Sequence, residues 1–316
     1  MSTNPIHISF CANNNYIQYI IVAIKSILEY HIGTNITIHV LSDYIDAYNK
    51  NKLTNIFYNY KNAKLEIHIV DDSSLKGLKD TWSIYTWYRV LLPNILPTNI
   101  HRILYLDADV IIKDNLQELF LLNMENKAIA GTIDIETFNI KTFERCGYEQ
   151  EKRYICAGVM LMNLDFWREH NLTEQIIEWG RINNDQIKFP DQDTINYLCR
   201  NDKVILPLRY GIQSAFFTND QFYQEPLAKE LSDSINKPAI IHYAGCAPWI
   251  KELSTHLLTH EWIKYNQMLP KPVKRKYMTK GWNLIKMHIW NFLHPFRNSN
   301  KLSIEDVKKR LNMIEK

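Results

Sequence analysis

A short apolar run at residues 6–10 is followed by a polar loop, Cys11-Ala12-Asn13-Asn14-Asn15, and then by apolar positions at three- and four-residue steps through residues 16–30. That order reads as strand, loop, helix. Apolar runs at 36–41 and 65–70 flank a helical interval that Ser42-Asp43 is placed to cap, and a further helix is predicted over 85–92. More strands are predicted at 102–106, 128–132 and 159–163. Strands alternating with helices predict an α/β fold with a mostly parallel sheet. Sheets of this kind bind ligands beyond the carboxyl ends of their strands, so functional residues are expected in those loops.

Composition narrows the class. Of 316 residues 46% are hydrophobic and 22% charged, with 9 Gly and 11 Pro, which excludes disordered and collagen-like chains and allows a core without disulfide staples. The five cysteines, at 11, 146, 156, 199 and 246, form no C-x-x-C pair, so neither a disulfide framework nor a zinc knuckle is suggested, and a reducing cytoplasm is expected. The first residues lack the basic and apolar regions of a signal peptide, and no apolar stretch approaches the roughly 20 residues that cross a bilayer. Neither G-x-G-x-x-G nor G-x-x-x-x-G-K-[ST] occurs, so any nucleotide phosphates must be neutralised by other means.

The net charge of +3 hides an asymmetry: residues 271–316 hold 12 Lys and Arg against 3 Asp and Glu, leaving 25 against 31 in the rest. The body is acidic and the tail basic. Trp282, Ile285, Ile289, Leu293 and Phe296 recur at helical steps among the tail's cations, the pattern of a helix lying in a membrane interface. Each Lys or Arg near an anionic leaflet adds about 1 kcal/mol. The pattern favours an anionic membrane surface over simple packing on the body, and over nucleic acid. With Leu269-Pro270-Lys271-Pro272 as the linker, one domain is predicted at 1–268 and a helical, membrane-associating tail at 269–316.

The most informative stretch is the apolar strand 102–106, which runs directly into Asp107-Ala108-Asp109 and then turns apolar again. Two carboxylates at a buried strand end repel and are costly to desolvate unless a cation compensates them. Hard oxygen ligands suit Mg²⁺ or Mn²⁺, and an added imidazole favours Mn²⁺. D-x-D has two main catalytic uses: holding the metal of a nucleotide-sugar diphosphate, or, in haloacid dehalogenase-like phosphatases, supplying the first aspartate as nucleophile. The second normally places the motif on the opening strand, whereas about 100 residues precede it here.

Separated motifs resemble glycosyltransferase family 8, the bacterial lipooligosaccharide and lipopolysaccharide galactosyl- and glucosyltransferases with glycogenin as a distant relative. The matches, in the family's order, are Asn15-Tyr16, Tyr88-Arg89, residues 104–109, Ala157-Gly158-Val159, Asn163-Leu164, Asp191-Gln192-Asp193, and His242-Tyr243 with Gly245, Pro248 and Trp249. The resemblance implies a single GT-A type, Rossmann-like nucleotide-binding domain. It also implies retaining transfer of a hexose from UDP-galactose or UDP-glucose to a glycan or glycolipid acceptor, at the cytoplasmic face of the inner membrane.

The resemblance further implies residue roles. Asp107, Asp109 and His242 would ligate Mn²⁺ (or Mg²⁺). Ala12, Asn13, Asn15 and Tyr16, with Ala108 and Gly245, would hold the nucleotide. Arg89 would reach donor phosphate or sugar oxygens as a planar fork, and Asp107, Cys156, Ala157, Asp191 and Gln192 would line the donor sugar. Gln192 would lie beneath the anomeric carbon; because an amide is a poor nucleophile, front-face substitution is favoured, with Asp193 the reserve nucleophile. Asp134 matches a position near the acceptor. Three departures stand out: Asn13 replaces the usual aspartate, Cys156 replaces asparagine or serine, and the lysine usual before Pro-Trp is missing, with Lys251 the nearest substitute. Two alternatives stay open, a phosphatase using Asp107 and a catalytically weak UDP-sugar-binding protein.

Overall fold

The computed structural model describes residues 5–81, 83–278 and 302–314. Strands β1 (Ile6–Cys11), β2 (Ile36–Ser42), β3 (Ala63–Ile69), β4 (Arg102–Leu106), β6 (Ile129–Ile133), β7 (Ile155–Asn163) and β8 (Lys203–Ile205) form one sheet in the order β3-β2-β1-β4-β7-β6-β8. β7 runs antiparallel to both neighbours and the remaining pairings are parallel. β5 (Val110–Ile112) and β9 (Ile240–His242) make a separate antiparallel pair. The mostly parallel α/β sheet expected from the alternating pattern is therefore present.

Helix α1 (Ile17–Tyr30) buries Ile17, Ile20, Ile24 and Ile27 against Ile6, Ile8 and Phe10 on one face of the sheet. The other face packs Ile103, Tyr105, Met160 and Met162 under Trp87, Trp167 and Ile176. Coverage of both faces explains why these strands read as continuous apolar runs rather than alternating ones.

Two local expectations are corrected. Residues 84–91 form a 3-10 helix rather than an α-helix, leading into a single α-turn at Leu92–Ile95. Helix α2 (Ala47–Ile56) is capped by Asp46, whose carboxylate accepts from Asn49 N at 2.7 Å, and not by Ser42-Asp43. Ser42 is instead the last residue of β2, paired with Ile69.

The described parts of the tail lie on the body. Lys276 N donates to Trp249 O and Lys251 N to Lys276 O, and the helix Ile304–Ile314 buries Val307 and Leu311 in the α1-side core. Arg310 pairs with Asp220 at 2.8 Å and stacks on Tyr223. The amphipathic stretch from Trp282 to Phe296 lies outside the described residues.

Candidate active site

β4 ends at Leu106, and Asp107 N still bonds to Gly158 O of β7. The Asp107 carboxylate therefore emerges at the carboxyl end of a central strand. The chain then bends into β5, whose pairing of Val110 with His242 brings in the imidazole, and Tyr243 N locks Asp109 O at 2.9 Å. His242 Nε2 lies 3.4 Å from Asp109 Oδ1 and 3.6 Å from Asp107 Oδ2. The three atoms lie within 4.8 Å of one another.

This donor set fits a divalent ion. Two carboxylate oxygens and one imidazole nitrogen face a common point, spaced close to the roughly 3 Å between neighbouring ligands of one ion. The room for it exists because residue 158 is glycine: a Cβ there would come within 2.4 Å of Asp107 Oδ2 and 2.3 Å of His242 Cε1. A glycine inside a buried strand is the sequence signal for such a close approach.

Electrostatics tighten the cluster. Burial alone would raise the Asp107 carboxyl, but Arg89, His242 and the Tyr105 hydroxyl (2.7 Å) reverse that and hold it below the usual carboxylate range. Burial pulls the His242 imidazole down, while Cys156 and the carboxylates of Asp109 and Asp107 more than compensate and raise it.

Arg89 is placed differently from an outward fork. It is buried, with Nε donating to Thr86 O, Nη1 to Ala157 O and Nη2 to Asp107 Oδ1, and its guanidinium stacks 4.1 Å over Tyr105. Asp191 Oδ2 lies 3.0 Å from Arg89 Nε, but the N–H points at Thr86, so this buried oxygen has no aligned donor. Burial raises the Asp191 carboxyl, with Arg89 opposing.

Asp191, Gln192 and Asp193 open the helix Pro190–Leu198. Gln192 Oε1 accepts Ala157 N at 2.9 Å, and Asn196, which the sequence did not single out, bonds both the N–H and the C=O of Ile155. The two amides stand in for a missing strand partner along the start of β7. Asp193 corrects an expectation: its carboxylate is buried among Arg145 Nη2 (2.8 Å), Tyr154 OH (2.6 Å) and the amides of Lys188 and Phe189. With four donors on it, Asp193 anchors the helix and is not a free nucleophile.

Cys156 Sγ faces His242 Nδ1 at 3.5 Å, so this thiol backs the imidazole. Asp134 is buried, caps the turn Ile135–Phe138 through Glu136 N, and has its carboxyl raised by burial. Asn13 Oδ1 accepts from Asn15 N and Tyr16 N, closing the loop after β1 onto α1, while Ala12 N bonds Leu41 O. Trp249 stacks on Tyr19 at 3.9 Å and meets Tyr16 edge-on, joining this loop to the turn Tyr243–Cys246, where Gly245 takes φ +70°. Lys251 lies over the Tyr277 ring, with Nζ 4.3 Å from its centroid.

Residues 7–252 match the model of glycosyl transferase family 8. The chain belongs to this family. It is a glycosyltransferase, and the phosphatase reading is set aside. Similar proteins include a lipopolysaccharide 1,2-glucosyltransferase of Escherichia coli, 28% identical over 82% of this chain and 74% of the relative. A lipopolysaccharide 1,3-galactosyltransferase of Salmonella typhimurium is 24% identical over 77% of this chain and 72% of its own length. The crystal structure of galactosyltransferase LgtC, in complex with donor and acceptor sugar analogs, superposes with a TM-score of 0.75 at 24% identity, covering 84% of this chain and 97% of LgtC. The sheet and its helices are those of the GT-A fold.

Proposed function

We propose that this glycosyltransferase moves a hexose, glucose or galactose, from a UDP-sugar to a lipopolysaccharide-type glycan with retention of configuration, and that Mn²⁺ serves it. The observation that carries the reading is the convergence of Asp107, Asp109 and His242 over the space that Gly158 leaves open. The donor and acceptor classes are supported by the names of the family relatives. Asp107, Asp109 and His242 would hold the ion, which supplies Lewis-acid stabilisation to a departing diphosphate.

The chain's own residues do the rest. Asp191 Oδ2, buried without an aligned donor, accepts a hydroxyl of the donor sugar. Gln192, its carbonyl fixed by Ala157 N, lies beneath the anomeric carbon and leaves the sugar's front face to the acceptor, whose proton passes to the leaving phosphate. Arg89 acts through other groups, holding Asp107, Asp191 and Ala157 O in register. Asn13, Asn15, Tyr16 and Gly245 form the nucleotide's side of the cleft, and Asp134 the acceptor's side.

The same proposal puts the enzyme at the cytoplasmic face of the inner membrane through its basic tail. The tail's excess of cations supports this, although Arg310 is committed to Asp220 and Arg275 donates to Pro248 O. Among the described residues, no helix is long and apolar enough to cross a membrane. UDP release from UDP-glucose and UDP-galactose, with and without a truncated lipopolysaccharide acceptor, tests the function. Acceptor-stimulated release that chelation abolishes is expected; no release from either donor with Mn²⁺ present overturns it.

A further inference from the structure

At the edge of the main sheet farthest from β8, three imidazoles lie on a diagonal: His7 on β1, His39 on β2 and His68 on β3. Parallel pairing puts Ser9, His39 and Glu66 in one row and Leu41 and His68 in the next. Residues in register or two apart on a strand share a face, so the three histidines and Glu66 all project from the same side. His39 Nδ1 lies 3.0 Å from His68 Nε2 and 3.4 Å from Glu66 Oε2, and His68 Nε2 lies 3.9 Å from that oxygen. These spacings bracket the roughly 3.3 Å edge of a tetrahedron whose corners sit about 2.0 Å from a zinc ion. One proton joins a single pair of these atoms, whereas a cation at their centre engages all three.

The remaining contacts orient the set. His39 Nε2 is 2.9 Å from His7 Nδ1. A proton on His39 Nε2, donated to His7, leaves the Nδ1 lone pair directed at Glu66 and His68, the arrangement in which a ligating histidine is held by a hydrogen bond from its other nitrogen. His39 is buried, while Glu66 is half exposed and His68 18% exposed, so an ion enters from solvent at the edge strand. Ser9, in the same row as His39, keeps a buried hydroxyl with no hydrogen-bond partner. Two imidazoles and one carboxylate select a transition ion over Mg²⁺ or Ca²⁺. β1 and β2 stand between β3 and β4, whose end carries Asp107.

We propose that His39, Glu66 and His68 form a second metal site, taking Zn²⁺ or a similar divalent transition ion, which clamps the edge strand β3 to β2. It is independent of the Asp107, Asp109 and His242 cluster. The test uses the full chain, metal-free and without a polyhistidine tag, titrated with Zn²⁺ by calorimetry. The unaltered protein is expected to bind two ions, and His68→Ala and Glu66→Gln one each. His242→Ala or Asp109→Asn, which disturb the other cluster, should retain the edge ion and still gain several degrees in thermal midpoint on adding Zn²⁺. Adding His68→Ala to either background should abolish that gain. Zn²⁺ stoichiometry unchanged by His68→Ala, or no thermal shift in the Asp109→Asn protein, overturns the proposal.

Discussion

Gly158 and His242 approach so closely that a Cβ on the first would stand 2.3 Å from Cε1 of the second. The bare backbone of β7 is thus one wall of the space between the imidazole and Asp107. Gly158→Ala is expected to lose about 1–3 kcal/mol of stability by overpacking, to keep its circular dichroism spectrum, and to bind UDP with Mn²⁺ at least tenfold more weakly. An affinity equal to the unaltered protein's would remove Gly158 from the site.

Gln192 is held by the bond its side-chain carbonyl accepts from Ala157 N at 2.9 Å. Gln192→Glu keeps the acceptor for Ala157 N, so its urea midpoint should stay close to the original while turnover falls. Gln192→Ala leaves that amide without its partner and should cost about 1–3 kcal/mol. Equal stabilities for the two variants would contradict the bond at 2.9 Å.

Asp191→Asn keeps the side chain's shape but removes the charge beside Arg89 and weakens the acceptor offered to the sugar. Turnover should fall about a hundredfold, the magnitude of losing one positioned polar contact, while UDP affinity, which does not depend on the sugar, changes little. A parallel loss of UDP affinity would place Asp191 on the nucleotide instead.

Buried histidines make stability depend on pH. His256 accepts Leu258 N at Nδ1 and donates Nε2–H to Ile212 O, and burial pulls its imidazole down to about 3. His31 accepts Leu116 N at Nε2 and is lowered for the same reason. Below about pH 6.5 the unfolded chain takes up protons that the folded chain refuses, so both groups lower stability as pH drops below 6.5; for His256 the loss continues toward pH 3, at up to about 1.4 kcal/mol per pH unit. Urea unfolding at pH 7.5, 6 and 5 should show a shallower dependence for His256→Asn than for the unaltered protein; identical slopes would refute the assignment to His256.

What the sequence made legible was local. β1, α1, β2 and β4 announced themselves through runs and periods decided within a dozen residues, and Asp107 and Asp109 through the contrast of charge against a buried strand. The meeting of His242 with them rests on the register of Val110 with His242, two three-residue strands 130 residues apart whose pairing no local pattern encodes. Arg89 and Asp193 read as groups aimed at a ligand because the sequence gives charge without direction. The fold turns both inward, onto Ala157 O and Asp107 in one case and onto Arg145 and Tyr154 in the other. The cap of α2 passed from Ser42 to Asp46 because strand pairing extended β2 by one residue, a tertiary choice between two equally good capping types.

The central claim is that the carboxylate pair and His242 make a metal-dependent site for the diphosphate of a sugar nucleotide. Calorimetric titration of UDP into the purified protein, with Mn²⁺, with chelator, and with Asp109→Asn, tests it most directly. The account predicts binding that needs both the metal and Asp109. UDP binding that persists undiminished in chelator, or no binding in any condition, would contradict it.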